Sequence, residues 1–128
     1  MIQVAAAILK NERGEILICQ RGPGGSCAYL WEFPGGKLEP HESLEECLIR
    51  ECREELAVGI AVKGKFAETT FQYAEAAMAF TFFYGEIIEG TPRRGVHKDI
   101  RWVSPGELKN FKFCPADVEV AERLMRHA

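Results

Sequence analysis

The stretch that most constrains this chain runs from Gly35 to Val58, where a glycine pair and a short acidic loop lead into a helix. Ser43 can cap that helix, and Glu46, three residues later, can reach back to complete a capping box. Apolar residues then recur at helical spacing, which predicts one buried stripe. The stripe consists of Leu44, Leu48, Cys52 and Leu56.

Three glutamates, Glu51, Glu54 and Glu55, share an arc of roughly 100° beside this stripe. Like charges at helical spacing destabilise a helix modestly, and these lie away from the first turn, where the helix dipole favours acids. A hard divalent cation such as Mg²⁺ explains the arrangement, because it binds carboxylate oxygens and leaves positions for water and substrate phosphates. A solvated acidic helix face is the alternative that charge alone leaves open.

The full spacing of residues 36–58 resembles the Nudix box, the signature of the Nudix hydrolases. The matching positions are Gly36, Glu42, Arg50, Glu51, Glu54, Glu55 and Val58. Two positions depart from the pattern, because Cys52 stands where a larger aliphatic residue is usual and Ala57 stands where the family has glycine. A glycine at position 57 would allow a left-handed helix exit that alanine resists. Neither change removes a carboxylate.

Composition limits the classes to which the chain can belong. Its 128 residues suit a single domain, 1–128, that buries a core without disulfides or metals. A net charge of −3 argues against a nucleic-acid-binding surface. Five cysteines without a C-x-x-C pair indicate free thiols in a reducing compartment, and no apolar run is long enough to cross a membrane. We therefore expect a cytoplasmic monomer or homodimer with no nucleic-acid or membrane partner.

Hydrophobic patterning predicts strands on both sides of the Nudix box. Ile2–Leu9 and Glu15–Gln20 flank a turn at residues 11–14, and predict a hairpin buried at the centre of a sheet. The later strands are Ile60–Val62, Phe66–Tyr73, Met78–Ile88 and Lys98–Val103, with a hairpin turn at residues 74–77. The glycine-rich residues 22–29 lack the ending of a phosphate-binding P-loop, and predict a lid or connector.

Two helices are predicted near the end of the chain. Ser104 and Glu107 frame a proline in the pattern of a helix start. The last helix is predicted over Val118–Arg126, with its inner face made of Val118, Ala121, Leu124 and Met125. Strand pairs flanking a central helix indicate an α/β sandwich. The resemblance implies the Nudix form of that class, which is an α/β/α sandwich with a mixed sheet and a loop–helix–loop Nudix box.

The run W-E-F-P-G-G at residues 31–36 extends the resemblance to the MutT-type members of the family. That resemblance implies that Glu51, Glu54, Glu55 and the carbonyl of Gly35 bind Mg²⁺, with Mn²⁺ as a substitute. It implies that Glu51 orients or deprotonates the attacking water. Arg50 is expected to pair with a carboxylate of the box, by preference Glu42.

The same resemblance implies three substrate-binding residues, each with a structural alternative. Arg21 would approach the substrate phosphates, and its alternative is a surface salt bridge. Phe33 would line the base pocket, and its alternative is a core aromatic. Asp117 would meet the edge of the base, and its alternative is an ordinary helix cap. Many relatives use a further acid before the last strand, where this chain has Val96; Asp99 is a possible replacement, and neighbouring His97 is as readily a surface residue.

The implied reaction is hydrolysis of a nucleoside triphosphate to a nucleoside monophosphate and pyrophosphate. Oxidised dGTP, CTP and 5-substituted dCTP are the expected substrates. Cleavage of a sugar nucleotide or a dinucleotide is an alternative, as is a non-catalytic nucleotide-binding domain on the same fold. The complete set of box glutamates favours an enzyme over a binding domain.

Overall fold

The computed structural model describes residues 1–127 of the chain. Within them, seven strands, two α-helices and one 3₁₀ helix follow one another. They are β1 (Ile2–Leu9), β2 (Ile16–Gln20), β3 (Trp31–Glu32), β4 (Gly35–Lys37), α1 (Leu44–Leu56), β5 (Gly59–Gln72), β6 (Ala77–Glu89), β7 (Asp99–Val103), the 3₁₀ helix (Pro105–Asn110) and α2 (Pro115–Arg126). Neither α-helix in this range has the length and apolar composition needed to cross a bilayer.

The first two strands do not form the predicted hairpin within one sheet. β1 pairs with β4 and, in parallel, with β6, inside a mixed four-stranded sheet of order β4-β1-β6-β5. β2 instead pairs with β3 and β7 in a three-stranded antiparallel sheet. The predicted turn is present, because the side chain of Asn11 accepts from the backbone of Glu15 at 2.9 Å. The two strands therefore separate into different sheets directly after a bridge between Lys10 and Ile16.

The four-stranded sheet lies between two hydrophobic cores. Residues of β1 contribute to the two cores in turn, because successive strand residues point to opposite faces of a sheet. Ala5, Ala7 and Leu9 join the core on the α1 side. Ala6 and Ile8 join the core on the α2 side. This layering confirms the predicted α/β/α class. The buried face of α1 consists of Cys47, Leu48, Cys52 and Leu56, whereas Leu44 of the predicted stripe is only partly buried.

The hairpin of β5 and β6 forms one long arm of this sheet. The two strands predicted at residues 60–62 and 66–73 are a single strand, interrupted by register shifts that lie near the predicted break. The turn at residues 74–77 is confirmed, since the N–H of Tyr73 donates to the carbonyl of Ala76 at 3.0 Å. The register shifts within β5 are typical of β-bulges, which bend a strand and increase its twist.

Local signals correctly predicted the start of α1, and the structure shows how the helix ends at Ala57. The Glu46 N–H donates to the Ser43 hydroxyl at 3.1 Å, and the Ser43 N–H donates to the Glu46 carboxylate at 2.8 Å. Ala57 ends the helix with φ 61° and ψ 36°, which is the left-handed exit that its position in the Nudix box implies. The helix framed by Ser104 and Glu107 is present as the 3₁₀ helix.

The last helix begins three residues earlier than predicted, at Pro115. Its buried face therefore includes Asp117 and Val120, together with Ala121 and Leu124. Val118, which was predicted to lie on the inner face, is 41% exposed. The prediction that Val118 faces inward was wrong because Asp117 occupies an inward position, which an apolar pattern does not reveal.

Candidate active site

A cleft of about 440 Å³ brings together most of the predicted site residues. Its walls come from β1, β4, α1, the β5–β6 hairpin and the start of α2. The predicted residues that line it are Arg21, Phe33, Gly35, Glu51, Glu55 and Asp117. Arg50 and Glu54 do not line it, although both lie on the same edge of α1.

The carboxylates of Glu51 and Glu55 enter this cleft from successive turns of α1. A glycine pair faces them. A Cβ atom at Gly36 would overlap the Glu51 carboxylate, and one at Gly35 would overlap the backbone of Ala5. The two glycines of the G-G-K strand are therefore required for the close approach of β4 to β1 and to α1.

Arg50 organises the acids of the Nudix box. Its guanidinium donates to Glu42 from Nε at 3.1 Å and from Nη2 at 2.8 Å, which confirms the predicted pairing. Nη1 donates to Glu51 at 2.7 Å and to Glu54 at 3.0 Å. Arg50, whose Nη2 also bonds to the Lys37 carbonyl, thereby fixes the acidic loop and two box glutamates in one arrangement. The hydrogen bonds from Arg50 lower the pKa of Glu42 to about 2.

Glu55 lies in a more crowded environment. Its pKa is raised to about 8, first by burial and then by the neighbouring carboxylates of Glu51 and Glu32. Glu32 itself has a raised pKa because it is buried, although its ion pair with Arg21 at 3.1 Å offsets part of the effect. Three acids thus face one partly buried region, where like charges repel strongly.

Two residues of this region were not predicted from the sequence. Glu32 follows Trp31 in the W-E-F-P-G-G run and lines the cleft. The side chain of His97 is only 4% exposed, and its Nε2 lies 3.7 Å from Glu55 and 3.9 Å from Glu32. The surface alternative for His97 is therefore wrong. Asp99 does not line the cleft, and its carboxylate accepts from Arg101 at 3.0 Å on β7.

Phe33 and Asp117, which were predicted to meet the base, both line the cleft and are both buried. Phe33 is 3% exposed and stacks on Phe113 with ring centroids 5.3 Å apart, so it is a core aromatic that also lines the cleft. Asp117 is not the helix cap, because Cys114 occupies that position. Burial, together with Glu32, raises the pKa of Asp117 well above its usual range, and the backbone of Phe33 and the charge of Arg21 oppose this only in part.

The β5–β6 turn and the glycine-rich loop meet across the mouth of the cleft. The hydroxyl of Ser26 donates to the carboxylate of Glu75 at 2.6 Å. The hydroxyl of Tyr73 accepts from the N–H of Ala116 at 3.1 Å, which ties the hairpin to the start of α2. Residues 22–29 therefore connect to the hairpin tip as well as to the strands that precede and follow them.

The donor set of the cleft fits a hard divalent cation. Within residues 1–127, no three acidic, histidine or cysteine side chains already converge as a finished metal centre. Glu51 and Glu55 nevertheless supply carboxylate oxygens side by side in the cleft, where burial and the neighbouring acids raise the pKa of Glu55. Carboxylate oxygens are among the ligands that Mg²⁺ and similar hard ions prefer. Nudix hydrolases generally use a divalent metal ion.

The chain is similar to known proteins along almost its whole length. The NUDIX domain model matches residues 1–124. The CTP pyrophosphohydrolase of Escherichia coli K12 is 35% identical, over 98% of this chain and 92% of the relative. The 8-oxo-dGTP diphosphatase of Haemophilus influenzae is 34% identical, over 98% of this chain and 92% of the relative.

Solved structures show the same fold. The solution structure of the Escherichia coli ORF135 protein is 34% identical and superimposes with a TM-score of 0.85, over 98% of this chain and 89% of the other. The crystal structure of the MutT protein from Methanosarcina mazei Go1 also gives a TM-score of 0.85, at 26% identity, over 98% of this chain and 94% of the other. The family match across almost the whole chain and the acids gathered on α1 lead to one conclusion: this protein belongs to the Nudix hydrolase family.

Proposed function

We propose that the protein is a Mg²⁺-dependent pyrophosphohydrolase that converts a nucleoside triphosphate to a nucleoside monophosphate and pyrophosphate. The observation that carries the proposal is that one cleft contains both the carboxylates of α1 and a buried aromatic with a carboxyl group beside it. The first part suits a metal-bound polyphosphate, and the second suits a base. Relatives that share about a third of the sequence are named for this reaction on CTP and on 8-oxo-dGTP, which supports the same chemistry here.

In this proposal, Glu51, Glu54, Glu55 and the carbonyl of Gly35 hold Mg²⁺, for which Mn²⁺ can substitute. When bound there, the ion would supply a positive charge that offsets phosphate charge and lowers the pKa of a nearby water. Either Glu51 or Glu55, the two box glutamates that line the cleft, orients the attacking water and accepts its proton. Arg50 acts through the glutamates, because it contacts Glu51 and Glu54 and not the cleft.

The remaining cleft residues recognise the nucleotide. Arg21, whose side chain is 46% exposed, presents a guanidinium that can bind phosphate oxygens in addition to Glu32. Phe33 offers an apolar surface to the base. An ionised Asp117 accepts hydrogen bonds from the amine of cytosine or from the N1–H and amine edge of guanine. CTP, 5-substituted dCTP and oxidised dGTP are therefore the proposed substrates, and the nucleotide is the proposed partner of an enzyme that works in the reducing cytoplasm.

A nucleotide panel tests the proposal. We expect the protein with Mg²⁺ to release pyrophosphate, and not phosphate, from CTP, 5-methyl-dCTP or 8-oxo-dGTP, and to stop when EDTA is added. A sugar nucleotide and a dinucleoside polyphosphate are included as competitors. Faster cleavage of either competitor would overturn the choice of substrate class. Tight nucleotide binding with no product of any kind would identify a binding domain instead of an enzyme.

A further inference from the structure

The loop between β6 and β7 is tied to the end of α1. The N–H of Arg93 donates to the Leu56 carbonyl at 2.9 Å, and the N–H of Lys98 donates to the Gln20 carbonyl at 2.9 Å. Gly95 has φ 56°, and a Cβ atom there would overlap the carbonyl of Glu55. The loop is thus packed directly on the last turn of α1, and the His97 that it carries is buried.

The two nitrogens of His97 have different partners. Nδ1 lies 3.1 Å from the carbonyl oxygen of Arg94. Because a carbonyl only accepts, Nδ1 carries the proton of this bond. Nε2 faces the carboxylates of Glu55 and Glu32, at 3.7 Å and 3.9 Å. The ring therefore stands between two acids that come from different parts of the fold.

Those two acids come from different elements and both line the cleft. Glu55 is on α1, and Glu32 is on β3, where Arg21 holds its other oxygen at 3.1 Å. Two carboxylates that face one another in a partly buried region repel, and each swings toward water unless something holds it. His97 does not line the cleft itself, so any effect on a bound ion or nucleotide must pass through Glu55 or Glu32.

We propose that His97 is a positioning residue, which keeps the carboxylates of Glu55 and Glu32 apart and directed into the cleft. This inference rests on the proposed metal-dependent function. The buried imidazole lies 3.7 Å from the Glu55 carboxylate and 3.9 Å from that of Glu32, and it limits the positions that the two acidic side chains can take. Residues that orient metal ligands in this way typically change metal affinity by about 10–100-fold when they are replaced.

Two amide substitutions separate the two nitrogens of the ring. His97→Asn keeps a donor near the position of Nδ1 but does not reach the carboxylates, whereas His97→Gln places its amide near the position of Nε2. We expect His97→Asn to weaken Mn²⁺ binding to the nucleotide-free protein about tenfold or more, measured by electron paramagnetic resonance. We expect His97→Gln to retain most of the affinity. The exposed His127 supplies the control, and His127→Gln should bind Mn²⁺ as the wild type does.

Kinetics and melting curves complete the test. His97→Asn should lower kcat and raise the Mg²⁺ concentration needed for half activity, while KM for the nucleotide at saturating Mg²⁺ stays unchanged. Thermal melts identify a folded variant, and His97→Ser, which also lacks the reach, replaces Asn if that variant does not fold. Wild-type Mn²⁺ affinity in a folded Asn or Ser variant, or equal losses in Asn and Gln, would overturn the positioning role. Failure of the proposed function looks different, because the wild type itself would then bind Mn²⁺ without hydrolysing nucleotides.

Discussion

Replacing Ala57 by glycine should stabilise the protein, although it removes a side chain. Ala57 ends α1 at φ 61° and ψ 36°, in the left-handed region that glycine adopts without steric cost. Its N–H donates to the Arg53 carbonyl at 3.2 Å, and a glycine can make the same bond. The residue is exposed, so loss of its methyl group removes little buried surface.

The size of the effect is a difference between two terms. A left-handed conformation costs an L-residue about 1–2 kcal/mol. Glycine costs about 0.4–1 kcal/mol through the greater freedom of the unfolded chain, so the net gain is about 0.5–1 kcal/mol. For a chain of 128 residues, such a gain raises Tm by about 2–4 °C.

Thermal denaturation of a small set of variants measures this gain. The matched control is the exposed Ile49 in the middle of α1, where the Ile49→Gly variant should melt below the Ile49→Ala variant. The same alanine-to-glycine exchange costs about 1 kcal/mol there, because the site is helical. Glycine should therefore raise Tm relative to alanine at position 57 and lower Tm relative to alanine at position 49. A Tm for Ala57→Gly below that of the wild type would refute the reasoning.

Three further predictions concern the cleft. Glu55→Gln should lower kcat about 100-fold or more, equivalent to about 2.7 kcal/mol of transition-state stabilisation, while the fold survives. Gly36→Ala should lower activity and metal affinity, because its Cβ would overlap the Glu51 carboxylate. Asp117→Asn should raise Tm near pH 7, because burial raises the folded-state pKa of Asp117 above its ordinary 3.8. Stability from this group is present below the ordinary pKa and is lost as pH rises toward the folded-state pKa, so the gain from asparagine should vanish near pH 4.

Each of these predictions has a control variant or an outcome that would contradict it. Near wild-type turnover of Glu55→Gln at limiting Mg²⁺ would contradict its role. Gly64→Ala, where a Cβ atom meets nothing within 4 Å, should leave activity unchanged, and equal losses at both glycines would remove the argument for Gly36. Asp117→Asn should also alter the ranking of cytosine and guanine nucleotides. A uniform change across bases would show that Asp117 does not read the base.

The sequence alone determined the parts of this protein whose geometry is local. The capping box of Ser43 and Glu46 spans three residues, so its hydrogen bonds follow once the helix forms. The pairing of Arg50 with Glu42 likewise depends on spacing along one loop and one helix. The resemblance of residues 36–58 to the Nudix box then indicated the reaction that the glutamates of this helix support.

The tertiary structure alone decided which distant elements meet. β1 and β2 are both apolar on both faces, so their patterns do not distinguish a common sheet from two different ones. β1 instead pairs in parallel with β6, a strand from the other half of the chain. A short polar pattern also cannot show that His97 turns inward between Glu32 and Glu55. That placement depends on how a loop packs against the end of α1, because the burial of a polar side chain is set by its neighbours in space.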